Sequence, residues 1–364
     1  MMMMPHHEPL AWYSYCTLLA VTYVGSLYVL VPTSVRNLPR DHPTQIQYRS
    51  VACLVVCVLA VYYTDTIHNT SIVFCSSPLQ VKRRNPNNIV VVLGVVAHLS
   101  LLYFGSSIAY VLRLYHTYRT TTTTTRSSNS TRSVSVSTST STSTSTSTTF
   151  SSLVQVFRWQ VWSSLVPDSY ELLWIALRNY VLAPLTEEIV FRGCMVPVLL
   201  LAFSKASSSE EDTTSDTSST LSSSTVVRRQ VSLIAPLFFG VAHLHHAWTR
   251  LAQKDGGNGR RATIVLSTVV QFLYTTVFGA YVSYAYLRTG SLLAVILGHA
   301  YANWRGLPDL TFVHHPPQGL VRYRRGILVC YGIGIVLFWY GFRLELFLPL
   351  PPKLRVINDT IVCH

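Results

Sequence analysis

Apolar residues come in long blocks divided by polar stretches, a spacing that predicts membrane helices and not the short alternations of strands. The first block, 10–31, has no basic region ahead of it and no small-residue cleavage site, so it reads as a retained membrane helix. A second, 51–63, is short for a crossing unless Ile46 and the flanking tyrosines extend it; a third, 89–115, is long enough and is interrupted by His98. Residues 153–166, with Arg158 and two tryptophans, read as an interfacial helix. Blocks at 170–203, 226–248, 262–287, 291–303 and 326–348 complete the series. About eight membrane helices are expected, in an all-α polytopic membrane protein built around an intramembrane cavity.

Between these blocks lie segments of another kind. Residues 120–152 are mostly Ser and Thr, and 204–225 repeat that composition with Glu210, Glu211, Asp212 and Asp216 added. Neither holds enough apolar surface to fold, and both read as disordered inserts. They do not imply separate domains, because the apolar blocks need one another to bury their polar residues. A single membrane-embedded domain over 1–364 is expected, with its core at about 153–348.

Composition sharpens this picture. The chain is 49% hydrophobic and 12% charged, against about 25% charged in ordinary soluble proteins, and its mean hydropathy is +0.33. The formal net charge of +13 comes from clusters such as Lys82-Arg83-Arg84, Arg228-Arg229, Arg260-Arg261 and Arg324-Arg325. These flank apolar blocks, which suits anionic headgroups and makes membrane lipid a partner. No soluble basic face with interleaved aromatics is present, so nucleic acid is not expected as a partner. The seven cysteines form no CxxC pair and read as small buried hydrophobes.

Charge inside an apolar block is expensive, and three blocks carry polar residues there. One holds Glu187, Glu188 and Arg192; another ends Phe239-Gly240-Val241-Ala242-His243; a third ends with His299 and Asn303. Thr186 is expected to cap the helix that carries the glutamates. Glu188 and Arg192, four apart, then share a face and pair, while Glu187 points about 100° away and stays available for chemistry. Each unsatisfied polar group in hydrocarbon costs several kcal/mol, so the side chains of the three blocks should converge on one another or on a wet cavity. A carboxylate in low dielectric is a competent general base near neutral pH. A histidine beside it can hold the same water, and a histidine and an amide four apart can donate to one oxyanion. That set suits peptide hydrolysis by an activated water. His98, His116, His314 and His315 read as solvated or internally satisfied; His245 and His246 stay open.

Four segments, 178–194, 237–246, 271–281 and 298–303, resemble the type II CaaX prenyl endopeptidases, the eukaryotic Ras-converting branch of the CPBP intramembrane protease family. The family's ordered pattern EExxxR, FxxxH, HxxxN stands here as Glu187-Glu188-Arg192, Phe239-His243 and His299-Asn303. The resemblance covers about 170–310 and implies an eight-helix protease of the endoplasmic reticulum. Such an enzyme would remove the last three residues of CaaX proteins, small GTPases among them, that already carry a farnesyl or geranylgeranyl group. It would need no cofactor and no metal. By the family's roles Glu187 and His243 would activate water, His299 and Asn303 would stabilise the oxyanion, and Glu188 with Arg192 would hold the helix.

Other readings are open to test. A zinc protease would want a local ligand signature such as HExxH, which is absent. A cysteine mechanism would turn to Cys194, seven residues after Glu187. A catalytically inert scaffold of the same fold would leave the three motifs without use. A transporter would show paired halves, and no internal repeat is visible.

Overall fold

The computed structural model describes residues 9–68, 88–130, 169–209, 217–245, 247, 258–307, 318–343, 346–347, 354–357 and 360–363. Amides that cannot reach water must be paired within their own segment, so blocks this apolar become helices. They are α1 (Pro9–Val29), α2 (Thr33–Arg36), α3 (Pro43–His68), α4 (Asn88–Leu102), α5 (Phe104–Ser130), α6 (170–209), α7 (Thr217–Ala242), α8 (Asn258–Thr289), α9 (Leu292–Arg305) and α10 (Arg324–Arg343). The all-α polytopic architecture expected from the sequence is therefore observed. It carries one small addition, an antiparallel hairpin of β1 (Leu354–Ile357) and β2 (Thr360–Cys363).

Among the described residues five helical stretches are long and apolar enough to cross a membrane: Pro43–Thr66, Tyr170–Ala206, Thr225–Ala242, Arg261–Thr289 and Leu320–Arg343. A sixth is reached if Ile89–Leu102 and Phe104–His116, bent by 73°, form one broken span. Helix α1 has 21 residues, enough length for a crossing. Helix α9 has 14 residues, about 21 Å at 1.5 Å per residue, against the roughly 30 Å of a bilayer core. The proposed interfacial helix at 153–166 lies outside the described residues.

Helix runs into the Ser/Thr stretches where they are described. Helix α5 continues to Ser130, α6 to Ser209, and α7 starts at Thr217. Extending a helix already nucleated by an apolar block costs far less than starting one, so polar residues at its end are carried along.

The described chain divides into two compact units. One comprises 1–97, 177–304 and 345–364; the other comprises 98–176 and 305–344. In the first, α7 lies along α8, while α1 packs on α3 and on the second half of α6. The α7–α8 contact is close because Gly240 offers no side chain: a Cβ there would strike Thr276 and Phe272. The outer face of α8 exposes Val265, Leu266, Val269, Leu273 and Val277, 49–70% of each. In water such a stripe would be an aggregation site; in a bilayer it is the lipid-facing side.

The second unit is built on α5 against α10, with Ala109, Leu320, Ile327 and Tyr331 as its buried core. Here His98 is wholly buried, stacks on Phe338 at 4.4 Å and donates Nε2–H to the Phe338 carbonyl at 2.9 Å. It is a satisfied structural histidine, while His116 is exposed.

Helix α6 carries the motif and is irregular. It runs from α-helical Tyr170–Leu177 through a π turn at Arg178–Leu182 to Ala183–Glu188, then a second π turn at Ile189–Met195, then Val196–Ser209. Pro184 has no amide to give the Tyr180 carbonyl four residues back, which accounts for the widened turn ahead of it. The second widened turn contains Arg192.

Candidate active site

Thr186 does not cap a helix; it sits inside one. Its hydroxyl donates to the Leu182 carbonyl at 2.8 Å and meets the Tyr23 hydroxyl of α1 at 2.9 Å. The helix needs no start at Thr186, because the preceding apolar residues already carry it through Pro184. The capping expectation is corrected, and the phase of the glutamates is set by the turns before them.

Glu188 and Arg192 are buried, at 0% and 1% exposure, and they pair. Arg192 Nη1 donates to Glu188 Oε1 at 3.3 Å, and Nη2 to the Gly279 carbonyl of α8 at 3.4 Å. Its Nε stands 3.2 Å from Glu188 Oε2 without the alignment of a hydrogen bond, so that oxygen is held by charge alone. The guanidinium also lies 4.4 Å over the Phe239 ring, a favourable place for a desolvated cation. Gly279 leaves room for this approach: a Cβ on it would stand 3.1 Å from Arg192 Nη2, a tight contact.

The same carboxylate holds His299. A left-handed Gly290 (φ 62°) ends α8, and Ser291 Oγ then accepts the Ala294 amide at 3.2 Å, starting α9. This tight reversal brings His299 back to α6, where Nδ1–H donates to Glu188 Oε1 at 2.7 Å. Its other ring nitrogen, Nε2, lies 3.8 Å from Glu187 Oε2. Rings of Phe278 and Phe239 stand edge-on at 5.1 and 6.2 Å. His299 thus bridges the two glutamates.

Glu187 faces elsewhere. Its side chain is 17% exposed and borders a cavity of about 130 Å³. His243, in the turn after α7, borders the same cavity. His243 Nδ1 lies 2.7 Å from the Phe239 carbonyl. A carbonyl only accepts, so Nδ1 carries the proton and the lone pair of the neutral ring is on Nε2. Tyr23 from α1, Ile46 and Cys53 from α3, and Phe191 from α6 complete much of the wall.

His245 also borders the cavity and donates Nδ1–H to the Ala242 carbonyl at 2.6 Å. Burial holds its imidazole below the ordinary histidine value; the Ala242 hydrogen bond opposes that, and the charges of His243, Arg40 and Arg49 add to it. His246, His314 and His315 lie outside the described residues.

The structure therefore brings Glu187 and His243 to one cavity and joins His299 to both glutamates. It does not bring Asn303 to the cavity. Asn303 is exposed, and its Nδ2 donates to the Asn179 carbonyl at 2.9 Å, one helical turn of α9 beyond His299. Cys194 is wholly buried and is no part of the cavity wall. Among the described residues no group of three or more His, Cys, Asp or Glu is arranged to hold a metal ion. Sequence reasoning missed Tyr23 and Arg49 as wall residues, since neither stands near a motif.

The fold and the site define a class: a polytopic helical membrane protein with a carboxylate–imidazole pair open to a cavity, on a helix apolar enough to span. Residues 169–305 match the Rce1-like family model, described as type II CAAX prenyl endopeptidase Rce1-like. It is similar to human CAAX prenyl protease 2, 36% identical over 162 residues, 44% of this chain and 40% of that protein. It is similar also to Arabidopsis thaliana CAAX prenyl protease 2, 28% identical over 308 residues, 81% of this chain and 79% of that one. A Schizosaccharomyces pombe protein named probable CAAX prenyl protease 2 is 38% identical over 136 residues, 37% of this chain and 41% of its own. The matches thus span about two fifths of the human and fission-yeast relatives and about four fifths of the plant one. No solved structure shows a significant match.

Proposed function

We propose that this protein is an intramembrane endopeptidase that removes the C-terminal aaX tripeptide from prenylated CaaX proteins. Small GTPases bearing farnesyl or geranylgeranyl groups would be among its substrates, in the endoplasmic-reticulum membrane. The observation that carries the reading is Glu187 and His243 facing one cavity, within a segment that resembles enzymes named for this reaction.

In the proposed step a water sits between Glu187 and His243 Nε2. Glu187 accepts a proton as the water oxygen bonds to the carbonyl carbon of the prenylated cysteine. His299, carrying a proton on Nε2 as well as on Nδ1, donates Nε2–H to the oxyanion that forms. The carbon–nitrogen bond then breaks, and the proton passes to the departing amine of the tripeptide. Asn303 gives one Nδ2–H to the Asn179 carbonyl, and its second Nδ2–H becomes a donor to the oxyanion when the side chain turns toward it. Glu188 and Arg192 hold His299 and the helix in register. The prenyl chain would supply binding energy at about 0.8 kcal/mol per buried methylene.

The test is hydrolysis of a farnesylated CaaX peptide by purified full-length protein, wild type beside Glu187→Ala and His243→Ala. Cleavage by wild type and its loss in both variants, with the fold retained by circular dichroism, is expected. Full activity in Glu187→Ala would end the proposal. Activity that survives a strong chelator separates this mechanism from a zinc-dependent one.

A further inference from the structure

The cavity has a second chemical feature that water activation does not use. Three arginines border it: Arg40 from the loop before α3, Arg49 from α3, and Arg178 from the first π turn of α6. They come from three places in the chain, so no local repeat explains their meeting. Among the residues bordering the cavity the only carboxylate is Glu187. The arginines are also fastened. Arg178 Nη1 pairs with Asp41 at 2.8 Å and donates to the Arg40 carbonyl at 3.3 Å, and its Nε donates to Asn179 Oδ1 at 2.9 Å. Arg49 is partly buried, and its Nε is enclosed with no hydrogen-bond partner among the described residues. Guanidinium groups on a cavity wall are ready donors to an anion that enters it.

We propose that Arg49, with Arg40 and Arg178, binds the free C-terminal carboxylate of the substrate. The inference rests on the peptidase reading above and adds to it a feature of substrate selection. Geometry supports it. Arg178 precedes Glu187 by nine residues on one helix, about 13 Å of helix rise. Three extended residues span about 10 Å from the scissile carbonyl to the terminal carboxylate. With the carboxylate held at the arginine end, the bond after the prenylated cysteine lies near Glu187. The pole thereby selects chains that end three residues beyond that cysteine. A guanidinium fork suits this task, since it matches a carboxylate with two parallel donors.

The experiment compares two farnesylated peptides of one sequence, one ending in a free acid and the other in a C-terminal amide. Wild type is expected to cleave the acid with a kcat/KM at least about tenfold higher, mainly through KM, as loss of a charged hydrogen bond predicts. In Arg49→Gln the acid-to-amide ratio falls toward one, and Arg49→Lys restores part of it. A wild type that cleaves acid and amide equally overturns the proposal, as does an Arg49→Gln variant that keeps the full ratio. Equal cleavage would leave the arginines to a lipid phosphate. Failure of wild type to cleave the acid peptide at all is a different result and sinks the peptidase reading itself.

Discussion

Glu187 and Glu188 are neighbours in the chain and live in different surroundings. Glu188 is held by Arg192 and His299, with no exposed surface. Glu187 keeps 17% of its side chain open and shares a cavity with His243. One helical step of about 100° separates a group that holds the structure from one that can meet a substrate. The difference teaches that a buried charge is stabilised by being fully occupied, and that chemistry needs one left partly unoccupied.

The largest expected effect breaks this comparison at its reactive side. Glu187→Gln should lower kcat/KM on a farnesylated CaaX peptide by about 10²–10⁴-fold with little change in thermal stability. Equal losses of activity and of melting temperature would erase the distinction. Next comes the structural side. Glu188→Gln leaves Arg192 buried beside a neutral amide, and Arg192→Ala leaves Glu188 without its cation; removing one partner of a buried pair costs about 3–5 kcal/mol. Chemical denaturation of each variant checks this, and Arg192→Met, which fills the space without charge, should fare no worse than Arg192→Ala.

Smaller is the effect of crowding the pair from α8. Gly279→Ala places a methyl 3.1 Å from Arg192 Nη2 and 3.2 Å from Pro236, an overpacking worth about 1–3 kcal/mol. It should lower stability without shifting the pH profile of cleavage. The smallest effect concerns His245. Its folded-state value is depressed by burial, so the unfolded chain binds its proton more readily. Its contribution to stability is complete above the ordinary histidine value of 6.5 and is lost as pH falls toward the folded value. His245→Gln should therefore flatten the decline of stability on acidification. A slope unchanged in the variant would show that His245 is not its source.

Much of the site was legible in the chain. The four-residue spacing of Glu188 and Arg192 predicted their pairing, because helix geometry puts such residues on one face whatever surrounds them. The same rule put His299 and Asn303 together on α9. What spacing could not supply was the partner across space. His299 takes Glu188 as its hydrogen-bond acceptor, 111 residues away, and Asn303 takes the Asn179 carbonyl instead of the cavity. The Thr186 cap failed for a related reason: a residue that caps an isolated helix is an ordinary interior residue when the helix has begun earlier.

By itself the sequence determined the helical membrane class, the pairing on α6 and the residue types able to run a hydrolysis. Those follow from local periodicity and from the cost of charge in apolar surroundings, both of which act along the chain. Only the tertiary structure decided which glutamate is enclosed and which is open, and that Tyr23, Arg49 and His243 share one cavity. Such meetings depend on how helices far apart in the chain are turned toward one another. That turning is set by close contacts such as the one at Gly279, which no short stretch of sequence contains.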